Sequence, residues 1–343
     1  MRKLLVRAAA LITFGALAMV GPETAAAQTQ AREILPLQLE EQIPVPAVAG
    51  RLDHFTVDAK RKHLFVSALG NNTVEVIDVF AGKVVHSIGG LSQPQGPLYV
   101  PGFDKLYVAN AGDGKLRVFD GKQYGLLKSI DFGADPDNVR YDEASKKVFV
   151  GFGEEDGGIA MVDPATDERV GPIYKTGGHP ESFQVEQSGG HIFVNVPDAG
   201  SVVESIDRKS GAVTKWPLNG LRGNYAMALN EEDHRLFTVT RKTPMLVVLD
   251  TQNGKEVARM RAAGECDDVF FDAARKRIYV IGGEGMISVF QQNDPNRYEL
   301  VANVPSSIGI RTGYFFSRRD RVYVGVPAKG NQPAEIWTYE AED

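Results

Sequence analysis

The sequence contains a single cysteine, Cys266, among 343 residues. One cysteine cannot form an internal disulfide, so the stability of the folded chain must come from its hydrophobic core. After the amino-terminal segment, no apolar run approaches the roughly 20 residues of a membrane-spanning helix, so we predict no transmembrane segment in the mature chain. Basic residues are fewer than acidic ones, and the formal net charge is −6. A nucleic-acid partner would require a basic surface, and we therefore expect none.

The motifs of several common catalytic and cofactor sites are also absent. The chain has no GxSxG nucleophile elbow and no HExxH zinc-binding helix. It has no CxxCH haem attachment site and no GxxxxGK[ST] phosphate loop. Cys266 stands between Glu265 and Asp267, and negative neighbours disfavour a thiolate, so we expect it to be a poor nucleophile. No established nucleophile can therefore be assigned from the sequence.

Residues 1–27 have the pattern of a secretory signal peptide. The basic start MRKLLVR precedes the apolar run AAALITFGALAMV, and three alanines ending at Ala27 provide a small-residue cleavage site. We predict cleavage near Ala27, which leaves residues 28–343 as one domain. The mature protein is expected in a bacterial periplasm, or secreted, as a monomer.

Most of the remaining chain repeats a pattern of short strands. The segment KLYVANAGDGKLRVFD, residues 105–120, has the pattern of strand, glycine turn and strand. Its first strand has seven versions, and their aromatic residues are separated by 42 or 44 positions. These aromatic residues are Phe65, Tyr107, Phe149, Phe193, Phe237, Tyr279 and Tyr323. A period of this length, built from short strands, predicts a β-propeller with one blade per repeat.

Each repeat has four strand patterns, which we name A to D in chain order, but the seventh ends at Asp343 without a strand D. The segment Glu33–Val45 alternates apolar and polar residues, as a strand does. If this segment takes the place of strand D in blade seven, the sheet of that blade has no open edge. We therefore predict an all-β fold, a seven-bladed β-propeller of four-stranded antiparallel blades. The N-terminal segment, residues 28–50, carries the strand that completes the last blade and closes the ring.

Strand C ends in an aspartate in five blades, and a turn follows each one. An aspartate in this position can accept hydrogen bonds from the turn amides, so we expect a structural role. The five residues are Asp78, Asp120, Asp163, Asp207 and Asp250.

These features resemble the YVTN family of β-propeller repeat proteins, which includes the exported YncE-like propellers. The resemblance rests on LYVAN in blade two, on LFVSA and IYVIG in blades one and six, and on the aspartate that ends strand C. It covers essentially all of the mature chain. It implies the propeller fold and export, but related propellers include lactonases, lyases and binding proteins, so the function stays open.

In a propeller, the loops that join strand D to the next strand A lie around one mouth of the central channel, together with the B–C loops. This mouth is the expected ligand site. Counting twelve residues back from each strand-B aromatic residue, or eleven in the last blade, aligns the positions that converge there. We predict a ligand-binding set at and beside these positions, namely Asp53, His54, Gln95, Asp137, Asn138, His179, Glu181, Tyr225, Asp267, Asp268 and Arg311.

Carboxylates dominate this set, and neighbouring carboxylates repel one another unless a cation or protons relieve them. We predict a divalent cation site formed by Asp53, His54, Glu181 and Asp268. Oxygen ligands favour Ca²⁺ or Mg²⁺, and added imidazole favours Zn²⁺. Two functions stay open. The acidic mouth binds a small molecule, an ion or a protein partner, or it belongs to a metal-assisted hydrolase, lactonase or lyase in which the cation polarises a carbonyl group.

Overall fold

The structure is a computed structural model that describes residues 35–343. The predicted signal peptide and the first two residues of the predicted closing strand, Glu33 and Ile34, lie outside the described residues. None of the helices in residues 35–343 has the length and apolar character required to cross a bilayer.

The described chain forms seven sheets of four antiparallel strands each. The amino-terminal strand is β1 (Leu37–Val45). Blades one and two contain β2 (Phe55–Asp58), β3 (His63–Ala68), β4 (Thr73–Asp78) and β5 (Lys83–Ile88), then β6 (Pro94–Val100), β7 (Lys105–Asn110), β8 (Lys115–Asp120) and β9 (Leu126–Asp131). Blades three and four contain β10 (Val139–Asp142), β11 (Lys147–Phe152), β12 (Gly158–Asp163) and β13 (Glu168–Lys175), then β14 (Phe183–Val185), β15 (His191–Val196), β16 (Val202–Asp207) and β17 (Val213–Pro217). Blades five and six contain β18 (Arg222–Asn230), β19 (Arg235–Lys242), β20 (Pro244–Asp250) and β21 (Glu256–Arg261), then β22 (Cys266–Asp272), β23 (Arg277–Gly282), β24 (Glu284–Asp294) and β25 (Arg297–Ile308). The last blade contains β26 (Gly313–Phe316), β27 (Arg321–Val326) and β28 (Ala334–Ala341).

The last blade is completed by the amino-terminal strand. The order of its strands is β1-β28-β27-β26, and the β1–β28 pairing runs from Leu37 opposite Ala341 to Val45 opposite Ala334. The other six blades are built from consecutive hairpins in the order A, B, C, D. The predicted seven-bladed fold is therefore confirmed, including the strand that closes the ring.

The repeated aromatic residue of strand B packs one blade against the next. All seven of these side chains are buried. The ring of Phe65 stacks on Tyr99 of the following blade, with 5.8 Å between ring centroids. Phe237 and Phe271 repeat this contact at 5.4 Å between blades five and six. The period read from the sequence is thus the spacing of the blade interfaces, which these aromatic contacts help to hold together.

The aspartates at the ends of strand C cap the turns that follow them. Asp78 Oδ1 accepts hydrogen bonds from the amides of Phe80 and Ala81, both at 2.9 Å. The other four make equivalent bonds in their own blades. Their predicted structural role is confirmed.

The backbone also supports the alignment of the mouth positions. In blade one, the Asp53 amide donates to the Ser67 carbonyl, and the Ser67 amide donates to the His54 carbonyl. Blades three and four repeat this pair of bonds: the amides of Asp137 and Glu181 donate to the carbonyls of Gly151 and Asn195, whose own amides donate to the carbonyls of Asn138 and Ser182. The start of strand A is therefore held in the same register in these three blades, and the mouth residues occupy equivalent places around the channel.

Candidate functional site

A polar cavity of about 610 Å³ lies at the mouth of the channel. Its walls come from the starts of the A strands and from the B–C loops of blades three and four. Eight residues of the predicted ligand set line it: His54, Gln95, Asp137, Asn138, His179, Glu181, Tyr225 and Asp267. The volume is typical of a site for a small molecule, but the lining is much more polar than usual.

Three of these side chains form a group that could hold a cation. One ligand atom from each of Asp137, His179 and Glu181 lies within 4.8 Å of the others, the only such group in residues 35–343. Two ionised carboxylates at that separation would repel each other by about 3 kcal/mol at an effective dielectric constant of about 20. A divalent ion between them would replace this repulsion with attraction.

The hydrogen bond made by His179 leaves one of its ring nitrogens available to a cation. Nδ1 lies 2.5 Å from the carbonyl oxygen of Gly153, which assigns the proton to Nδ1 in the neutral ring. Nε2 faces the carboxylates and lies 3.7 Å from Asp137 Oδ2. Gly153 adopts φ +93° in the B–C loop of blade three, a conformation that disfavours residues with a Cβ. Metal-binding histidines commonly donate their second N–H to a carbonyl in this way.

The Asp137 carboxylate is buried and incompletely satisfied. Its residue is 5% exposed, and its Oδ1 atom has no hydrogen-bond partner. Burial disfavours its charge, but His179 and His54 hold its pKa below the ordinary value. Burial and the charge of Asp137 raise the pKa of Glu181 to about 7. Burial opposes the charged form of His179, yet the nearby Asp137 carboxylate and the hydrogen bond to the Gly153 carbonyl raise its pKa to about 9. These values indicate that protons balance the negative charge when no cation is bound.

A second ionic group lies at the floor of the mouth cavity. His54 Nδ1 is 3.1 Å from Asp268 Oδ2, and His54 Nε2 is 3.7 Å from Asp53 Oδ1. Burial disfavours the imidazolium, but Asp268 and Asp53 raise the pKa of His54 to about 9. Asp53 also forms an ion pair with Arg51, and Asp268 Oδ2 accepts a hydrogen bond from the amide of Gly313 at 3.0 Å. This group is internally neutralised and joins blades one, six and seven.

The four residues predicted as metal ligands therefore fall into different groups. Asp53, His54 and Asp268 belong to the ion-paired floor, and only Glu181 belongs to the group with converging ligand atoms. Aligning the blades in sequence identifies residues at the same depth in the channel, but it does not show which of their side chains contact one another across the channel. Asp53, Asp268 and Arg311 do not line the mouth cavity. Arg311 pairs instead with Glu265, with 3.2 Å between Nη2 and Oε2. Cys266 is fully buried, and burial raises the pKa of its thiol, which agrees with the expected lack of reactivity.

Sequence reasoning missed Arg241, which is the penultimate residue of strand B of blade five and lines the mouth cavity. Its guanidinium contacts Asp267 and lies over the ring of Tyr225, 3.7 Å from the ring centroid. Glu154, Glu155 and Asp198, from the B–C loops of blades three and four, were also not assigned to the site. The B–C loops share the mouth face, so the acids of GFGEEDGG were the signal that could have identified the first two.

Gly96 allows blade two to approach the group formed by Asp137, His179 and Glu181 closely. Its amide donates to the Asp137 carbonyl at 3.1 Å. A Cβ at this position would lie 2.3 Å from the same oxygen, which no side chain can tolerate without movement of the backbone. The glycine therefore fixes the position of Asp137 relative to the neighbouring blade.

Comparison with solved structures places the chain among known propellers. A chain titled Kuenenia stuttgartiensis hydrazine synthase is similar with a TM-score of 0.70 and 18% identity, over 86% of this chain and 95% of that one. A chain from a structure titled mitotic checkpoint complex is similar with a TM-score of 0.76 and 13% identity, over 97% of this chain and 99% of that one. Comparison with models of known protein families gives no match, and comparison with curated proteins gives none either. At these identities the similarity establishes the fold alone.

Proposed function

We propose that this β-propeller is a binding protein whose acidic mouth holds a divalent cation on Asp137, His179 and Glu181, with a small ligand above the cation. Two observations carry the proposal: one ligand atom from each of these three residues converges on one place, and the buried Asp137 carboxylate keeps an oxygen, Oδ1, that has no partner. Leaving such an oxygen unpaired in the interior is costly, and a cation is the direct way to satisfy it.

The donor set indicates the kind of cation. One imidazole and two carboxylates favour Zn²⁺ or Mn²⁺ over Ca²⁺ or Mg²⁺, which prefer oxygen donors. Three protein ligands leave at least one coordination position for water or a ligand, and the cavity above the group supplies the space. Since other acids surround the cavity, a neutral or cationic ligand suits it better than an anion held by the protein alone.

Thermal unfolding tests the proposed cation. We expect EDTA treatment to lower the melting temperature and Zn²⁺ or Mn²⁺ to restore it, because an ion that binds only the folded state stabilises that state. At a free concentration of about 100 times the Kd, the added stability is about 2.7 kcal/mol. A melting temperature unchanged by EDTA and by every divalent ion tried would remove the cation from the account.

The proposal places this activity outside the cytoplasm. The basic and apolar start of the chain and the three alanines that end at Ala27 support export through a cleaved signal peptide. The strand motifs support membership of the YVTN-repeat, YncE-like propellers, and the monomeric state is proposed with them. Amino-terminal sequencing of the protein recovered from the periplasm of an expressing bacterium would give Gln28 as the first residue.

A metal-assisted hydrolase, lactonase or lyase is the second candidate function. The specific observation in its favour is that Arg241 lines the same cavity as the three donors, where its guanidinium could stabilise a developing negative oxygen. If the site is catalytic, the protein loaded with Zn²⁺ will open a simple lactone such as dihydrocoumarin, and EDTA will abolish turnover. Cation binding without turnover of lactone or ester substrates would favour the binding function.

A further inference from the structure

A second cavity of about 610 Å³ occupies the other end of the channel. All seven blades contribute strand-A residues to its wall, and the A–B turn residues Ala59, Pro101 and Ser317 surround its opening. His54 lines both cavities, and Asp268 lines this one, so the ion-paired floor separates the two ends. A ligand can therefore reach this cavity from the face opposite the acidic mouth.

The wall of this lower cavity contains an arginine without a carboxylate partner. The Arg140 guanidinium donates to the Val139 carbonyl at 3.0 Å and to Ser182 Oγ at 3.4 Å, and it makes no ion pair with any residue in the described part of the chain. Asp137 and Asp268 act on it only through their charges. Asp268 Oδ2 is already used by His54 and by the amide of Gly313.

Other arginines that join neighbouring blades are paired differently. Arg208 binds the buried Asp142 at 2.5 Å, and Arg275 binds Asp320 at 2.7 Å. Arg140 thus differs from the arginines that serve the fold. Burial lowers the pKa of Arg140, since its charged form is removed from water without an ionic partner. An unpaired charge in such a place is expensive, and a bound anion would relieve the cost.

The wall combines polar residues with apolar side chains that the core covers incompletely. Leu98, Phe270, Phe271, Tyr314 and Phe315 pack against the hydrophobic core on one side and line the cavity on the other. Each is only partly buried, so apolar surface as well as polar groups faces the cavity. Apolar surface of this kind favours an occupant with an aromatic or aliphatic body. Arg318, at the opening, adds positive charge along the entry path.

We infer that the lower cavity binds a small monocarboxylate with an apolar body, whose carboxylate meets the Arg140 guanidinium and whose body packs on Leu98, Phe270 and Phe315. The planar guanidinium matches a carboxylate in a two-bond geometry, which a neutral ligand of the same shape cannot reproduce. The cavity volume lies within the usual range for small-molecule sites. This site is distinct from the cation-binding mouth and does not depend on it.

Calorimetric titration with phenylacetate tests the site, and 2-phenylethanol serves as the neutral ligand of similar shape. We expect the intact protein to bind phenylacetate at least about tenfold more tightly than the alcohol, because charge-assisted bonds to arginine are the stronger kind. Arg140→Gln should remove that preference, and Arg140→Lys should retain part of it. The control Arg261→Gln makes the same change on the exposed outer strand of blade five, and there the preference should be unchanged.

Several results would overturn the inference. The first two are that phenylacetate does not bind, or that it binds no more tightly than 2-phenylethanol. The other two are that Arg140→Gln binds phenylacetate as tightly as the parent does, or that chloride binds as tightly as phenylacetate, which would mean that the apolar body contributes nothing. The comparison of acid with alcohol uses the unmodified protein, so it decides the question even if a variant fails to fold. Unfolding of the ligand-free Arg140→Gln protein adds a second readout, because removing a half-buried charge without an ionic partner should leave the melting temperature equal or higher.

Discussion

Asp137→Asn should abolish the stabilisation of the protein by Zn²⁺. The substitution keeps the size of the side chain but replaces a buried carboxylate, whose Oδ1 atom has no partner, with a neutral amide that is a poor ligand. We therefore expect the difference in melting temperature between EDTA-treated and zinc-loaded protein to disappear. The EDTA-treated variant should unfold at a somewhat lower temperature than the EDTA-treated parent, because it loses the attraction between the Asp137 carboxylate and the protonated His179, which holds the pKa of Asp137 below its ordinary value.

The control for this experiment lies on the same B–C loop as Gly153. Asp156→Asn removes one negative charge close to the site in sequence, but Asp156 is exposed and does not line the mouth cavity. Its zinc response should equal that of the parent. If Asp137→Asn also keeps the full response, the three-residue cation site does not exist as described.

Removal of the amino-terminal strand should have the largest effect on stability. A chain that begins at Pro46 lacks β1, which buries the side chains of Leu37, Ile43 and Val45 almost completely. Each buried aliphatic side chain contributes about 1.5–3 kcal/mol, so their loss takes away about 5–9 kcal/mol. Net stabilities of domains are only about 5–15 kcal/mol. The exposed edge of β28 would in addition be free to pair with other chains, so we expect unfolding or association in size-exclusion chromatography.

A chain that begins at Leu35 is the matched control, because it keeps β1 complete. It should unfold cooperatively, and a synthetic peptide of residues 35–45 added to the shorter chain should restore part of the lost stability by strand addition. Equal melting temperatures for the two truncated chains would show that the ring does not depend on the closing strand.

The sequence repeat made the fold predictable because every blade packs against its neighbour through the same position of strand B. The aromatic residue of strand B must fill the space between adjacent blades, so it recurs at a nearly constant spacing that can be read without coordinates. The missing strand D in blade seven and the alternating pattern before Val45 predicted the closure in the same way. Both inferences depend on local pattern alone.

The contacts within the mouth were less predictable because they join residues far apart in sequence. His54 meets Asp268 across 214 positions, and this contact depends on the direction of each side chain rather than on its depth in the strand. The partition of the acids into an ion-paired floor and a converging group therefore could not be read from the alignment. Arg241 lies outside the aligned positions, and its contact with Asp267 depends on the path of the chain at the end of strand B. The role of Arg140 could not be predicted from the sequence either, because only the structure shows that no carboxylate pairs with its guanidinium.

Anomalous diffraction from crystals soaked in Zn²⁺ tests the central claim most directly. The account predicts a peak at the channel mouth, about 2.0–2.2 Å from a carboxylate oxygen of Asp137, from Nε2 of His179 and from a carboxylate oxygen of Glu181. The absence of a peak at the mouth, or a peak between Asp53 and Asp268 instead, would contradict it.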